Sequence, residues 1–278
     1  MMRDGLKVAA AQWLPTPGDG VKNLATALDM IDRAAGSGVD LVVLPELWSM
    51  GYNPSTLAKD AQALAEALDG PLLQALATKA KERAIWVHAG TVPERDGSHI
   101  FNTATLFNRD GDLAATHRKF KPYPLTGEHL VFAAGSGITV YEDDELGRVG
   151  LVTCFDGDFR ETQAALRQAR VELVLEPAAY DIPGAPTWDL WYRANALASA
   201  QFWVMAGQCG INPSTSLLGA SQIISPTGAL MAKAPTCDGL TTPDPSLIFA
   251  ELTITAEIRA ALEYATLLDE PDLDVPTT

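Results

Sequence analysis

Three residues in this chain have side chains that together could carry out acyl transfer: Glu46, Lys119 and Cys154. Each follows an apolar or strand-like run. Glu46 comes after Leu41-Val42-Val43-Leu44-Pro45, Lys119 after Ala114-Ala115-Thr116-His117-Arg118, and Cys154 after Val149-Gly150-Leu151-Val152-Thr153. A cysteine attacks as the thiolate, so it needs a base to take its proton and a positive charge nearby. A carboxylate can serve as that base and later activate water. A lysine ammonium can hold the oxyanion that forms when a carbonyl is attacked, with the Phe155 backbone N–H as a second donor. Singly, each residue has a plainer reading: a cysteine packs as a small apolar group, a glutamate caps a helix, and a lysine near a hairpin sits in water. Their shared placement at strand exits favours chemistry, because sites in α/β sheets gather beyond strand ends.

The elements that must position them alternate along the chain. Strand patterns cover Lys7 to Trp13, Asp40 to Glu46 and Ile85 to Thr91, followed by a hairpin turning at Asp110-Gly111. Helical spacing covers Val21 to Ala35, Ser55 to Leu68 and Pro71 to Arg83, the last with proline at its first position. The second half repeats the plan. Strands end at Cys154 and Pro177, helices run from Glu161 to Ala169 and Trp188 to Ser199, and a second hairpin turns at Pro226-Thr227-Gly228. That similarity hints at a pseudo-repeat. No linker rich in glycine, serine or proline divides the chain, so residues 1–278 read as one α/β domain with a mostly buried sheet system under helices. Residues 266–278 read as an acidic C-terminal arm or tail.

Composition narrows the function. The formal net charge of −15 argues against sequence-independent binding to nucleic acid or to an anionic membrane surface. No basic start precedes a long apolar stretch, and no run is long enough to span a bilayer. The three cysteines are odd in number and widely spaced, with no CxxC pair, and the four histidines form no HExxH. The chain therefore reads as a cytoplasmic, reduced protein that needs no metal or cofactor, its chemistry supplied by side chains and water.

Three stretches, "VVLPELWSMGY", "THRKFKPYPLTGE" and "GLVTCFDGDFRE", occur in that order and resemble the signature regions of the nitrilase, or carbon–nitrogen hydrolase, superfamily. The opening "VAAAQW", the "NTATLFNRDG" hairpin and "GASQIISPTG" extend the resemblance over roughly Lys7 to Leu252. It implies a four-layer αββα sandwich and a Glu-Lys-Cys catalytic set, with Glu46 as base, Lys119 as catalytic lysine and Cys154 as nucleophile. It also implies that Glu128, in the "GE" after the lysine motif, holds the lysine and steers substrate. At least a homodimer follows from the same resemblance.

Within that family the Phe155-Asp156 pair after the cysteine is closer to the amidase and carbamoylase branches than to true nitrilases, which usually carry Trp-Glu. Amide hydrolysis with release of ammonia is the first expectation, and a small-molecule amide the expected partner. Cleavage of an N-carbamoyl amine or amino acid is the alternative, with nitrile hydrolysis and a non-catalytic binding subunit behind it. Where many relatives carry an arginine this chain has Asp158, which would repel a substrate carboxylate and favour an amine or hydroxyl, unless it only caps the next helix. Arg160 would offset it by turning inward. Phe155, Trp48, Tyr52 and Tyr180 are further candidates for the pocket wall, against ordinary core packing. His117 and His129 flank Lys119 and permit a Cys-His scheme, ranked below the Glu-Lys set for want of an obvious orienting carboxylate or amide.

Overall fold

Successive residues of β1 (Leu6–Gln12) point to opposite faces, as strand geometry requires. Leu6, Val8 and Ala10 pack into one apolar layer with Leu173, Leu175, Phe202 and Val204. Ala9 and Ala11 pack the other way, against Ala27, Met30 and Ile31 of helix α1 (Gly20–Gly36). Burial on both faces is why such a strand reads as a continuous apolar run. The computed structural model describes residues 2–267, and the same logic there produces two six-stranded sheets, packed face to face, with helices outside.

The first sheet contains β1, β2 (Leu41–Val43), β3 (Trp86–Asp96), β4 (His99–Phe107), β5 (Leu113–Arg118) and β14 (Ser246–Leu252), in the order β14-β1-β2-β3-β4-β5. The second contains β6 (Thr139–Asp143), β7 (Gly147–Leu151), β8 (Leu173–Ala178), β9 (Phe202–Gly207), β12 (Gln222–Ile224) and β13 (Leu230–Lys233), in the order β13-β12-β9-β8-β7-β6. In each, three successive strands are parallel, a hairpin continues one side antiparallel, and one antiparallel strand closes the other side. The two halves of the chain thus repeat one pairing plan. Helices α1 and α3 (Pro71–Arg83) cover the first sheet. Helices α4 (Arg160–Gln168) and α5 (Tyr192–Ser199) cover the second, giving the αββα layering.

Boundaries differ from the sequence pattern where turns intervene. The strand expected over Asp40 to Glu46 pairs only at Leu41–Val43. Helix α2 (Leu57–Leu64) stops short of Leu68 because Glu66 bonds instead to the backbone of Pro93 and Arg95. The helix expected from Trp188 begins as a π-turn over Thr187–Trp191 before α5. A small hairpin of β10 (Cys209–Asn212) and β11 (Thr215–Leu218) carries no sequence pattern strong enough to announce it. Helix α6 (Ala256–Leu267) ends the description, so Thr266 and Leu267 are helical and the rest of the expected acidic arm, residues 268–278, lies outside the described residues. Among the described residues no helix is long and apolar enough to cross a membrane.

Candidate active site

Glu46 sits three residues past the end of β2, after Pro45 has ended strand pairing. Leu47 follows in the left-handed region at φ 44°, its N–H donating to Thr91 Oγ1 at 2.8 Å. The turn lies hard against β3, since a Cβ on Gly90 would come within 2.0 Å of the Pro45 carbonyl oxygen. Only glycine fits there. The turn therefore fixes where the Glu46 carboxylate points.

Cys154 leaves β7 with φ 50°, opening a 3-10 turn over Cys154–Asp158. A non-glycine residue in that region costs about 1–3 kcal/mol and persists only when its surroundings hold it there. The fully buried Asp156 carboxylate does so. Its Oδ2 accepts from the Thr153 N–H at 3.1 Å and lies 3.0 Å from His117 Nε2. Its Oδ1 accepts from the backbone N–H of Phe120 at 3.1 Å and of Lys121 at 2.8 Å. One side chain thereby ties the cysteine turn to the residues that flank Lys119.

Lys119 leaves β5 with a side chain only 1% exposed. Its Nζ donates to Glu46 Oε1 at 2.7 Å and to Glu128 Oε2 at 2.9 Å. Asn102 Nδ2 donates to both carboxylates as well, 2.8 Å from Glu46 Oε1 and 2.8 Å from Glu128 Oε1. The Tyr123 N–H adds a bond to Glu128 Oε2 at 2.8 Å. Glu46 Oε2, also buried, has no hydrogen-bond partner among the described residues.

Burial pushes the Glu46 carboxyl above its ordinary range; Lys119 opposes that push and the neighbouring charge of Glu128 adds to it. For Lys119, burial alone would lower the value, but Glu128 and Glu46 outweigh it and hold the ammonium well above its usual range. Burial and then Glu46 push the Cys154 thiol well up, while Lys119 and the Ala179 backbone N–H favour the thiolate. Burial thus favours the thiol over the thiolate at rest, with Glu46 near enough to act on it by charge.

Cys154 opens into a cavity of about 170 Å³. Tyr52, Phe155, Asp158 and Tyr180, all expected at the pocket, line it. Trp48 does not. It is fully buried, donates from Nε1 to the Ala89 carbonyl and packs against Trp13, so its indole belongs to the core under α1. Arg160 is exposed and is not among the lining residues, and Asp158 does not cap α4, whose N-cap is Phe159. Asp158 Oδ1 instead accepts from the hydroxyls of Tyr180 and Tyr192. His117 is spent on Asp156 and His129 lines a separate surface groove, so neither serves a Cys-His scheme.

Sequence reasoning missed Asn102, Asp156, Tyr123 and Tyr192. Asn102 had a signal, as an uncharged polar residue inside the strand pattern "FNTATLF", and Asp156 was read only as the residue after Phe155. Tyr123 and Tyr192 had none, because their roles depend on which loops meet.

The carbon–nitrogen hydrolase family model matches residues 7–262. The chain is 29% identical over 238 residues to the nitrilase and fragile histidine triad fusion protein NitFhit of Drosophila melanogaster. That match covers 83% of this chain and 51% of the fusion protein, so the chain spans about half that relative's length. It is 27% identical over 249 residues to omega-amidase NIT2 of Danio rerio, covering 85% of each. Nit3 of Saccharomyces cerevisiae, a member of branch 10 of the nitrilase superfamily, matches in structure with a TM-score of 0.83 at 26% identity and covers 97% of both chains. With the family match running nearly from end to end, the chain belongs to the carbon–nitrogen hydrolase family.

Proposed function

We propose that this protein hydrolyses a small-molecule amide through a thioester on Cys154, with release of ammonia. The observation that carries the reading is the division of labour on Glu46: Oε1 takes Lys119 and Asn102, while buried Oε2 stays free. A base needs that free lone pair, and a carboxyl raised by burial is the stronger proton acceptor.

Glu46 Oε2 takes the thiol proton as the sulfur attacks the amide carbon. The carbonyl oxygen becomes an oxyanion, held by Lys119 Nζ and the Phe155 N–H. Collapse breaks the C–N bond, and the proton on Glu46 goes to the nitrogen, which leaves as ammonia. Glu46 then deprotonates a water that attacks the thioester. The carboxylic acid departs and the proton returns to sulfur. Glu128 keeps the Lys119 ammonium charged and aimed, and Asn102 holds both carboxylates in register. The omega-amidase identity of the Danio rerio relative supports an amide as the bond cleaved. Carbamoyl amino acids fit less well, since Asp158 would face their carboxylate.

Ammonia release from a panel of aliphatic and aromatic primary amides tests this. The native protein should release ammonia and Cys154→Ala should not; release that survives in Cys154→Ala would overturn the reading.

A further inference from the structure

Among the described residues, the charged ones lining the Cys154 cavity are Asp158 and Asp181, with no lysine, arginine or histidine. Every hydrogen bond to Asp158 from the described residues falls on Oδ1, from Tyr180 and Tyr192, leaving Oδ2 without one. Asp181 Oδ1 caps the 3-10 turn that follows it by accepting from the Gly184 N–H at 3.1 Å, so this carboxylate is held at the wall. Behind Asp158 stands a third carboxyl. Glu176 of β8 is fully buried against Tyr192. It adjoins the same cluster: a Cβ on Gly157 would lie 3.1 Å from Glu176 Oε1 and 2.7 Å from the Tyr192 hydroxyl. The Tyr192 hydroxyl also lies 3.1 Å from the Cys154 carbonyl oxygen, placing the cluster against the nucleophile's own backbone.

A carboxylate placed against this wall would meet like charge, the Lys119 ammonium of the catalytic set being already paired with Glu46 and Glu128. An ammonium would find an unpaired carboxylate oxygen, aromatic walls from Tyr52, Tyr123 and Tyr180, and a second carboxylate among the lining residues. We propose that the cavity selects amides whose acyl portion carries a protonated amine, which Asp158 binds, and rejects acyl portions that end in a carboxylate. The inference rests on the amidase reading of Cys154. Tyr180 and Tyr192 position the carboxylate and leave one of its oxygens for the substrate.

The test compares kcat/KM for three straight-chain amides of matched length: γ-aminobutyramide, its methyl isostere pentanamide, and glutaramate. A charge-assisted hydrogen bond in a closed site corresponds to a preference of about tenfold to a hundredfold. The native protein should favour γ-aminobutyramide over pentanamide by that much, and over glutaramate by more. Asp158→Asn should bring the ammonium-to-methyl ratio to about one, whereas Tyr180→Phe, which keeps the charge, should retain most of it. Each ratio is read within one preparation, so loss of folded protein cancels. Pentanamide or glutaramate turned over as well as the amine, or an amine preference that survives Asp158→Asn, would overturn the inference. Turnover of those two that is lost in Cys154→Ala would leave the amidase reading standing while the inference fails. No ammonia from any of the three, or from the wider panel, would sink both.

Discussion

His117 Nε2 lies 3.0 Å from Asp156 Oδ2, and both side chains are fully buried. The pair crosses from the strand that delivers Lys119 to the turn that delivers Cys154. It gives a histidine near the site a reason other than proton transfer to sulfur. His117→Gln should therefore keep activity within about tenfold and lower stability, whereas Lys119→Ala should lower kcat by about a thousandfold, the order seen when an oxyanion donor is lost. Asp156→Ala strands three backbone N–H groups, two of them beside Lys119, and should cost about 3 kcal/mol or more. Steady-state kinetics and urea unfolding of the three variants check this. Abolished turnover in His117→Gln with Lys119→Ala still active would reverse the assignment.

The pH dependence follows from the raised Glu46 carboxyl. Glu46 acts as base only when ionised, so kcat/KM should fall as pH drops through its value. Because burial raises that value, the acid limb should lie above the ordinary glutamate range near 4.3. The thiol and the ammonium are both held well up, so the profile should stay flat past the ordinary cysteine range near 8.5. An acid limb at or below the ordinary glutamate range would contradict the geometry.

Asn102 offers a sharper probe because it touches no sulfur. Its amide favours the ionised form of Glu46, so Asn102→Leu should push the acid limb further up in pH. It should also lower kcat by about tenfold to a hundredfold, with KM changing less. A loss of activity with the limb unmoved would mean that Asn102 only supports the fold.

At a separate place, Arg109 bonds to Asp40 at 2.7 Å and to Glu145 in the turn between β6 and β7, joining elements of both sheets. Hydrogen bonds from Arg109 lower the Glu145 carboxyl against its desolvation, and Asp40 is lowered likewise, by bonds from Lys7 and Arg109 that outweigh burial. Depressed carboxyls contribute stability that is present above their unfolded values and lost as pH falls through the folded ones. Arg109 is partly exposed, so Arg109→Ala should cost only about 1–2 kcal/mol near neutrality. The gap between native and variant should narrow as pH falls below about 4, read by urea unfolding at several pH values. A constant gap down to low pH would rule out these ion pairs as its source.

Much of the site was legible because strand exits leave strong marks. Glu46, Lys119 and Cys154 each follow an apolar or strand-like run, and the runs fix which end of each strand they leave. Glu128 was reached only through the resemblance, since nothing local distinguishes it from a loop carboxylate. Trp48 was misplaced because the residue two past Glu46 could face either side of the turn, and the left-handed Leu47 sends it into the core. The clamp through Asp156 was invisible for a different reason. It joins residues separated by more than thirty positions, and no periodicity records which backbone N–H groups a buried carboxylate will meet.

The most direct test of the account is intact-mass analysis of the protein quenched in acid during turnover of a good amide. The account predicts an adduct with the mass of the substrate's acyl group, the amide less ammonia, that maps to the peptide containing Cys154 and is lost in Cys154→Ala. Sustained ammonia release without any such adduct under single-turnover conditions, or an acyl group on another residue, would contradict it.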